Sequence, residues 1–169
     1  MEFLTRSVAI ALLDHCGVQK PPVPIRKLIL SPPRDLATDL SLVENPHITF
    51  CSAQWIRLIG GQGVMFVNGN LAEPERRYAM ACALFSALCF TPGGQASGLQ
   101  ALAQSESYAC DERFARYLLM PIELLPNDWH LMSVEALADL FGVPLEVAAT
   151  RLQEIKSMLD QSPSSASSA

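Results

Sequence analysis

From Tyr78 to Phe90 the chain reads Tyr-Ala-Met-Ala-Cys-Ala-Leu-Phe-Ser-Ala-Leu-Cys-Phe, with Ser86 as its one plainly polar member. A helix made from such a stretch has no polar face to turn toward water, so other parts of the chain must cover it nearly all round. It falls short of the roughly 20 residues that a membrane-spanning helix needs. Upstream, Pro74 suits a first helical turn because its missing N–H costs nothing there, and Glu73 and Glu75 favour the positive end of a helix. Downstream, Thr91-Pro92-Gly93-Gly94 breaks the pattern. The expected element is a buried core helix over about 76–90, and the fold has to be built around it.

The 169 residues, half of them apolar, suffice for one domain with a real core, expected over 1–160. The Ser-rich end, 161–169, has almost nothing to bury and is expected to be disordered. Twelve Lys and Arg against 17 Asp and Glu leave a net charge of −5, which argues against a protein whose affinity comes mainly from neutralising phosphates or anionic lipid. Five cysteines make an odd count without a Cys-x-x-Cys pair, and the opening Met-Glu-Phe-Leu-Thr-Arg lacks a basic-then-apolar leader layout. A reducing, cytoplasmic setting away from membranes is expected.

In chain order, residues 2–15 suit an amphipathic helix stopping near Gly17. Pro21-Pro22-Val23-Pro24 forces an extended entry to a short helix, Ile25–Leu30, which Pro32-Pro33 ends. Residues Ile48 to Ile59 are rich in β-formers, and Gly60-Gly61-Gln62-Gly63 separates them from Val64-Met65-Phe66-Val67, so a β-hairpin closing at Asn68-Gly69-Asn70 is expected. Gln95–Ser107 reads as a polar connection with one helical turn at Leu99–Ala103. Two helices then form a tight pair over Ser133–Leu140 and Pro144–Leu159. Ser133 suits the N-cap, and Gly142 suits the left-handed position after the first helix.

Three patterns, in this order, carry a resemblance. Phe66-Val67-Asn68 leads to Arg76-Arg77-Tyr78 and the apolar helix. Then comes Asp111-Glu112-Arg113-Phe114-Ala115-Arg116-Tyr117-Leu118-Leu119-Met120-Pro121. Finally Leu137-Ala138-Asp139-Leu140-Phe141-Gly142-Val143-Pro144 precedes Arg151-Leu152. Over about residues 4–156 the chain resembles the ImmA/IrrE family of metallopeptidase domains. The resemblance implies an α+β fold, mostly helical and zincin-like, with a small antiparallel β-sheet and a C-terminal helical pair.

In active members of that family the core helix carries His-Glu-x-x-His, two imidazoles one turn apart on zinc with a Glu as general base. The matching positions here are Cys82-Ala83-Leu84-Phe85-Ser86: a thiol and a hydroxyl replace the ligands, and Ala83 replaces the base. The third, carboxylate ligand falls by counting at about Tyr108 to Cys110, neither of them an acid, with Glu106 and Glu112 one register slip away. The resemblance therefore implies a non-catalytic relative, a pseudo-peptidase without a zinc cofactor. Such a protein is expected to be a regulatory or scaffolding module in bacterial stress or mobile-element transcription control. Its partner is expected to be a protein, a transcriptional repressor by analogy, held along an edge strand placed at Val64, Met65, Phe66, Val67 and Asn68. Phe85, larger than its family counterpart, raises the alternative of a filled cleft.

Other readings stay open at this stage. Cys82 and Cys110 with His15, His47 or His130 would make a zinc site with atypical ligands, hence an active peptidase cleaving a repressor. The same two cysteines would alternatively form a disulfide. Cys82 as a nucleophile lacks a neighbouring His in sequence. The last helical pair resembles a helix-turn-helix, but Glu146, Glu154 and Asp160 outnumber Arg151 and Lys156, so direct nucleic-acid binding is not expected. Arg76 and Arg77 suit an anion site, but pairing with Glu73 and Glu75 or plain solvation is the role expected. None of these patterns specifies an oligomeric state.

Overall fold

The apolar stretch is a helix, Glu73–Cys89, with Met80, Ala81, Leu84, Phe85 and Leu88 wholly buried along it. The computed structural model describes residues 2–33, 40–59 and 62–160, with side chains at all of these except 2, 102, 103 and 105–109. The disorder expected for 161–169 lies outside the described residues. In order, the elements are α1 (Glu2–His15), α2 (Ile25–Leu30), β1 (Leu40–Asn45), β2 (Ala53–Arg57), β3 (Gly63–Asn68), α3 (Glu73–Cys89), α4 (Pro92–Ala96), α5 (Leu99–Leu119), α6 (Val134–Phe141) and α7 (Leu145–Asp160). Two short 3-10 turns, Ile122–Leu124 and Trp129–Leu131, bridge α5 to α6. The fold class is the α+β one expected.

The sheet covers one side of α3, and α5 covers another. Its strand order is β1-β3-β2, with β1 parallel and β2 antiparallel to β3. The sheet is therefore mixed rather than wholly antiparallel, and β1 had no counterpart among the expected elements. The β2–β3 hairpin is present, though its first strand starts at Ala53 rather than Ile48. The order also corrects the placement of the edge. Val64, Met65, Phe66, Val67 and Asn68 belong to the central strand, whose N–H and C=O groups are taken by neighbours on both sides. The unbroken run Val-Met-Phe-Val is the mark of a strand covered on both faces. The free edge beside α3 is β2.

Residues 99–119 form one continuous helix, not a polar connection followed by a helix. Its junction with α3 turns on Thr91, whose hydroxyl donates to the Leu88 carbonyl at 2.7 Å while accepting from the Gly94 amide at 3.0 Å. One side chain thus serves the end of one helix and the start of the next. Gly94 is needed there because a Cβ would lie 1.9 Å from the Leu88 carbonyl oxygen. The break expected after Phe90 is thus present, and Gly94 is the close contact on which α3 ends.

The C-terminal pair follows its local code. Ser133 accepts from the Ala136 amide at 3.2 Å, and Gly142 takes φ 61° and ψ 48° after α6. What seats this pair is a buried arginine. Arg77 donates to the carbonyls of Gly142 at 2.9 Å, Val23 at 2.7 Å and Phe141 at 3.4 Å, joining the segment before α2 to the end of α6. It does not pair with Glu73 or Glu75. Arg76 does pair with Glu73, and with Glu44 at 3.4 Å, while Arg26 bonds both acids at 2.7 Å. On the far side Arg151, 1% exposed, donates to the Met120 carbonyl at the end of α5 and lies 4.4 Å above the Tyr117 ring. Both buried arginines thus meet carbonyls at helix C-termini, where the backbone dipoles favour a cation.

Candidate functional site

Beyond the first turn of α3, the residues not fully buried are Tyr78, Ala79, Cys82 and Ser86, spaced so that they share one face with the exposed Glu75. That face looks out between β2 and α5. Phe85 points the other way, its ring centroid 5.1 Å from that of Phe114 on α5. The cleft is accordingly open, with a volume of about 490 Å³ between Phe50, Cys51, Ala53 and Gln54 on the strand side and Cys82, Ala83, Asp111 and Glu112 on the helical side. A second hollow of about 350 Å³ adjoins it, sharing Ala53 and Cys82 and reaching Glu75, Tyr78, Pro144 and Glu146.

The floor of the cleft carries one polar contact between helices. Ser86 Oγ donates to Asp111 Oδ2 at 2.8 Å. Burial raises the Asp111 carboxyl to about 6, the Ser86 bond opposes this, and the nearby Glu112 charge adds to it. Cys82 is pushed up to about 12, first by burial and then by the charges of Asp111 and Glu112. A thiol so placed stays protonated at neutral pH and is a weak nucleophile.

Cys82 and Ala83 therefore line the cleft, and Ser86 reaches it through its bond to Asp111, the acid that faces them. Asp111 lies one residue beyond the span, Tyr108 to Cys110, where counting placed the third ligand, and each residue turns a helix by about 100°, so neighbours in sequence take different faces. Cys110, 2% exposed, faces the core instead. The side chains of Glu106 and Tyr108 lie outside the described residues. Glu112 stands at the rim, 3.8 Å from Arg116. The signal available in sequence was Ser86 itself, a hydroxyl in an otherwise apolar helix, which needs a partner.

A zinc ion asks for three protein donors and an open position. Here Cys82 offers one sulfur donor, and the Ser86 hydroxyl is spent on Asp111. Among the described residues no trio of His, Cys, Asp or Glu is placed to hold a metal ion. His15, His47 and His130 are exposed and line neither hollow. Cys82 and Cys110 are not joined by a disulfide. Ala83 offers no base for an attacking water. These residues do not fit the metal.

On α7, Val147, Ala148, Leu152 and Ile155 turn inward, and so does Arg151. The one arginine of that helix is thus unavailable to a phosphate. Among the described residues no helix is long and apolar enough to cross a membrane. Residues 41–153 match the family model described as the IrrE N-terminal-like domain. No curated protein matches the chain.

Proposed function

The chain belongs to the ImmA/IrrE family of metallopeptidase-like domains, and from that premise we propose that it is a non-catalytic member that holds a protein segment. The observation that carries this reading is the Ser86–Asp111 hydrogen bond. The position that would carry the second metal ligand in an active member is instead bonded to Asp111, while the cleft beside it stays open. Chemistry is dismantled and the space for a ligand is kept.

Strand β2 supplies the means of holding. In its antiparallel ladder, Ser52 and Leu58 point their backbone groups at β3, through Asn68 N–H to Ser52 C=O at 3.0 Å and Leu58 N–H to Gln62 C=O at 2.8 Å. Alternation then turns the N–H and C=O groups of Ala53 and Trp55 outward along the free edge. An extended segment adding there gains main-chain hydrogen bonds, which need no metal. By family analogy the segment belongs to a transcriptional repressor, and the module is regulatory or scaffolding. The burial of Arg151 weakens the alternative of a DNA-reading helical pair.

The experiment is metal content by mass spectrometry on tag-free protein, zinc-loaded and desalted, beside Cys82→Ser. The expected content is far below one equivalent in both. Stoichiometric zinc that disappears in Cys82→Ser would overturn the reading and restore a peptidase with atypical ligands.

A further inference from the structure

The two hollows beside α3 meet at Ala53 and Cys82 and form one groove with acidic ends. Glu75 and Glu146 stand at one end, Asp111 and Glu112 at the other, and neither hollow is lined by Lys, Arg or His. Beside the sheet and α5, several acids are matched. Glu44 and Glu73 are taken by Arg26 and Arg76, and Glu154 by Arg116 at 2.7 Å. Glu112 has only the longer contact to that same Arg116, and among the described residues no ion pair engages Glu75 or Glu146. Arg26, Arg76 and Arg116 are committed to contacts within the fold, and the four carboxylates of the groove face no cation in its lining. Where the two hollows meet, the wall is small and apolar, with Ala53 and Cys82 shared by both and Ala79 and Ala83 lining one each.

We propose that this groove takes an extended peptide bearing two basic side chains four residues apart, with a small apolar residue midway. The proposal rests on the strand-addition reading above and adds the chemistry of the occupant. From Glu75 to Ser86, which faces Asp111, α3 advances eleven residues, about 16 Å at about 1.5 Å each. Residues i and i+4 of an extended chain point to the same side and lie about 13 Å apart, and the reach of Arg or Lys covers the difference. Residue i+2 then sits over Ala53 and Cys82, where a large or charged side chain has no partner. Positive charge at both ends meets carboxylates that a neutral or acidic segment would leave uncompensated or repel.

The test is fluorescence anisotropy with a fluorescein-labelled seven-residue peptide carrying Arg, Val and Arg at its second, fourth and sixth positions and Ser or Gly elsewhere. Its Gln-for-Arg and Glu-for-Arg versions, and a version N-methylated at alternate amides, are compared with it. Exposed charge pairs set the expected scale: the basic peptide binds about fivefold more tightly than the Gln version, and the Glu version is weaker still. The preference should shrink in the Glu75→Gln/Glu146→Gln protein and at raised salt, with circular dichroism showing these rim variants folded. N-methylation should abolish binding. Equal affinity for the basic and Gln peptides, both sensitive to N-methylation, would overturn the charge proposal while leaving strand addition intact. Failure of every version to bind would remove strand addition and the proposal with it.

Discussion

Replacing Arg77 with Met tests whether one side chain seats the C-terminal helices. The substitution keeps most of the aliphatic volume and removes the guanidinium, so what changes is chiefly the bonding to Val23 at 2.7 Å and Gly142 at 2.9 Å. Each hydrogen bond from a charged donor contributes about 1.5–3 kcal/mol, so the gross loss is about 3–6 kcal/mol. Burial disfavours this cation, and removing it relieves part of that cost. A net loss of about 2–4 kcal/mol remains, equivalent in a chain of this size to roughly 4–16 °C in Tm. Arg76→Met on the same helix is the control. Its partners are partly exposed, so it should cost less than about 1 kcal/mol. Urea unfolding followed through Trp55 and Trp129 measures both, with unchanged slopes as the condition for comparing midpoints. If Arg77→Met cost no more than Arg76→Met, water would be satisfying those carbonyls and the idea of a clamp would be wrong. The expected loss has a functional side as well, since Pro144 and Glu146 line the groove and follow directly on the turn that Arg77 holds.

Two further outcomes follow from the same structure. Hydrogen bonding to Arg26 holds the Glu44 carboxyl below the usual range and brings Glu73 down to about 2. Because the folded values lie below the unfolded ones, this stabilisation is fully present above about pH 4.5 and fades as pH falls toward about 2. Arg26→Met should flatten the loss of stability over that interval in urea titrations, and an unchanged acid slope would refute the assignment. Second, Cys82→His with Ala83→Glu and Ser86→His should take up one equivalent of zinc and lose it on adding Asp111→Asn, because the 2.8 Å contact already puts position 86 within reach of that carboxylate. No zinc in a folded triple variant would mean that α3 does not present these positions to the cleft as an active relative would.

The elements legible in advance were those written in local chemistry. The core helix, the Ser133 cap and the Gly142 turn each depend on residues within a few positions of one another, and all three appear where expected. Strand β1 was not legible, since Leu-Ser-Leu-Val-Glu-Asn has only one β-branched residue and no flanking turn signal of the hairpin kind. At the site, the loss of the His-Glu-x-x-His chemistry was readable because it is a matter of residue type. The identity of the acid facing Ser86 was not, because it depends on the rotation of α5 against α3.

Sequence alone therefore determined the first two helices, the core helix and the C-terminal pair, which residues are apolar enough to be buried, and which chemistry positions 82, 83 and 86 lack. Tertiary structure decided that β3 is central and β2 the edge, that Arg77 serves carbonyls rather than its neighbouring glutamates, and that Asp111 closes on Ser86. The division has a physical cause. Helix periodicity and capping are set by torsions and hydrogen bonds within a turn, whereas strand order and helix rotation are set by contacts between segments far apart in the chain, which carry no local mark.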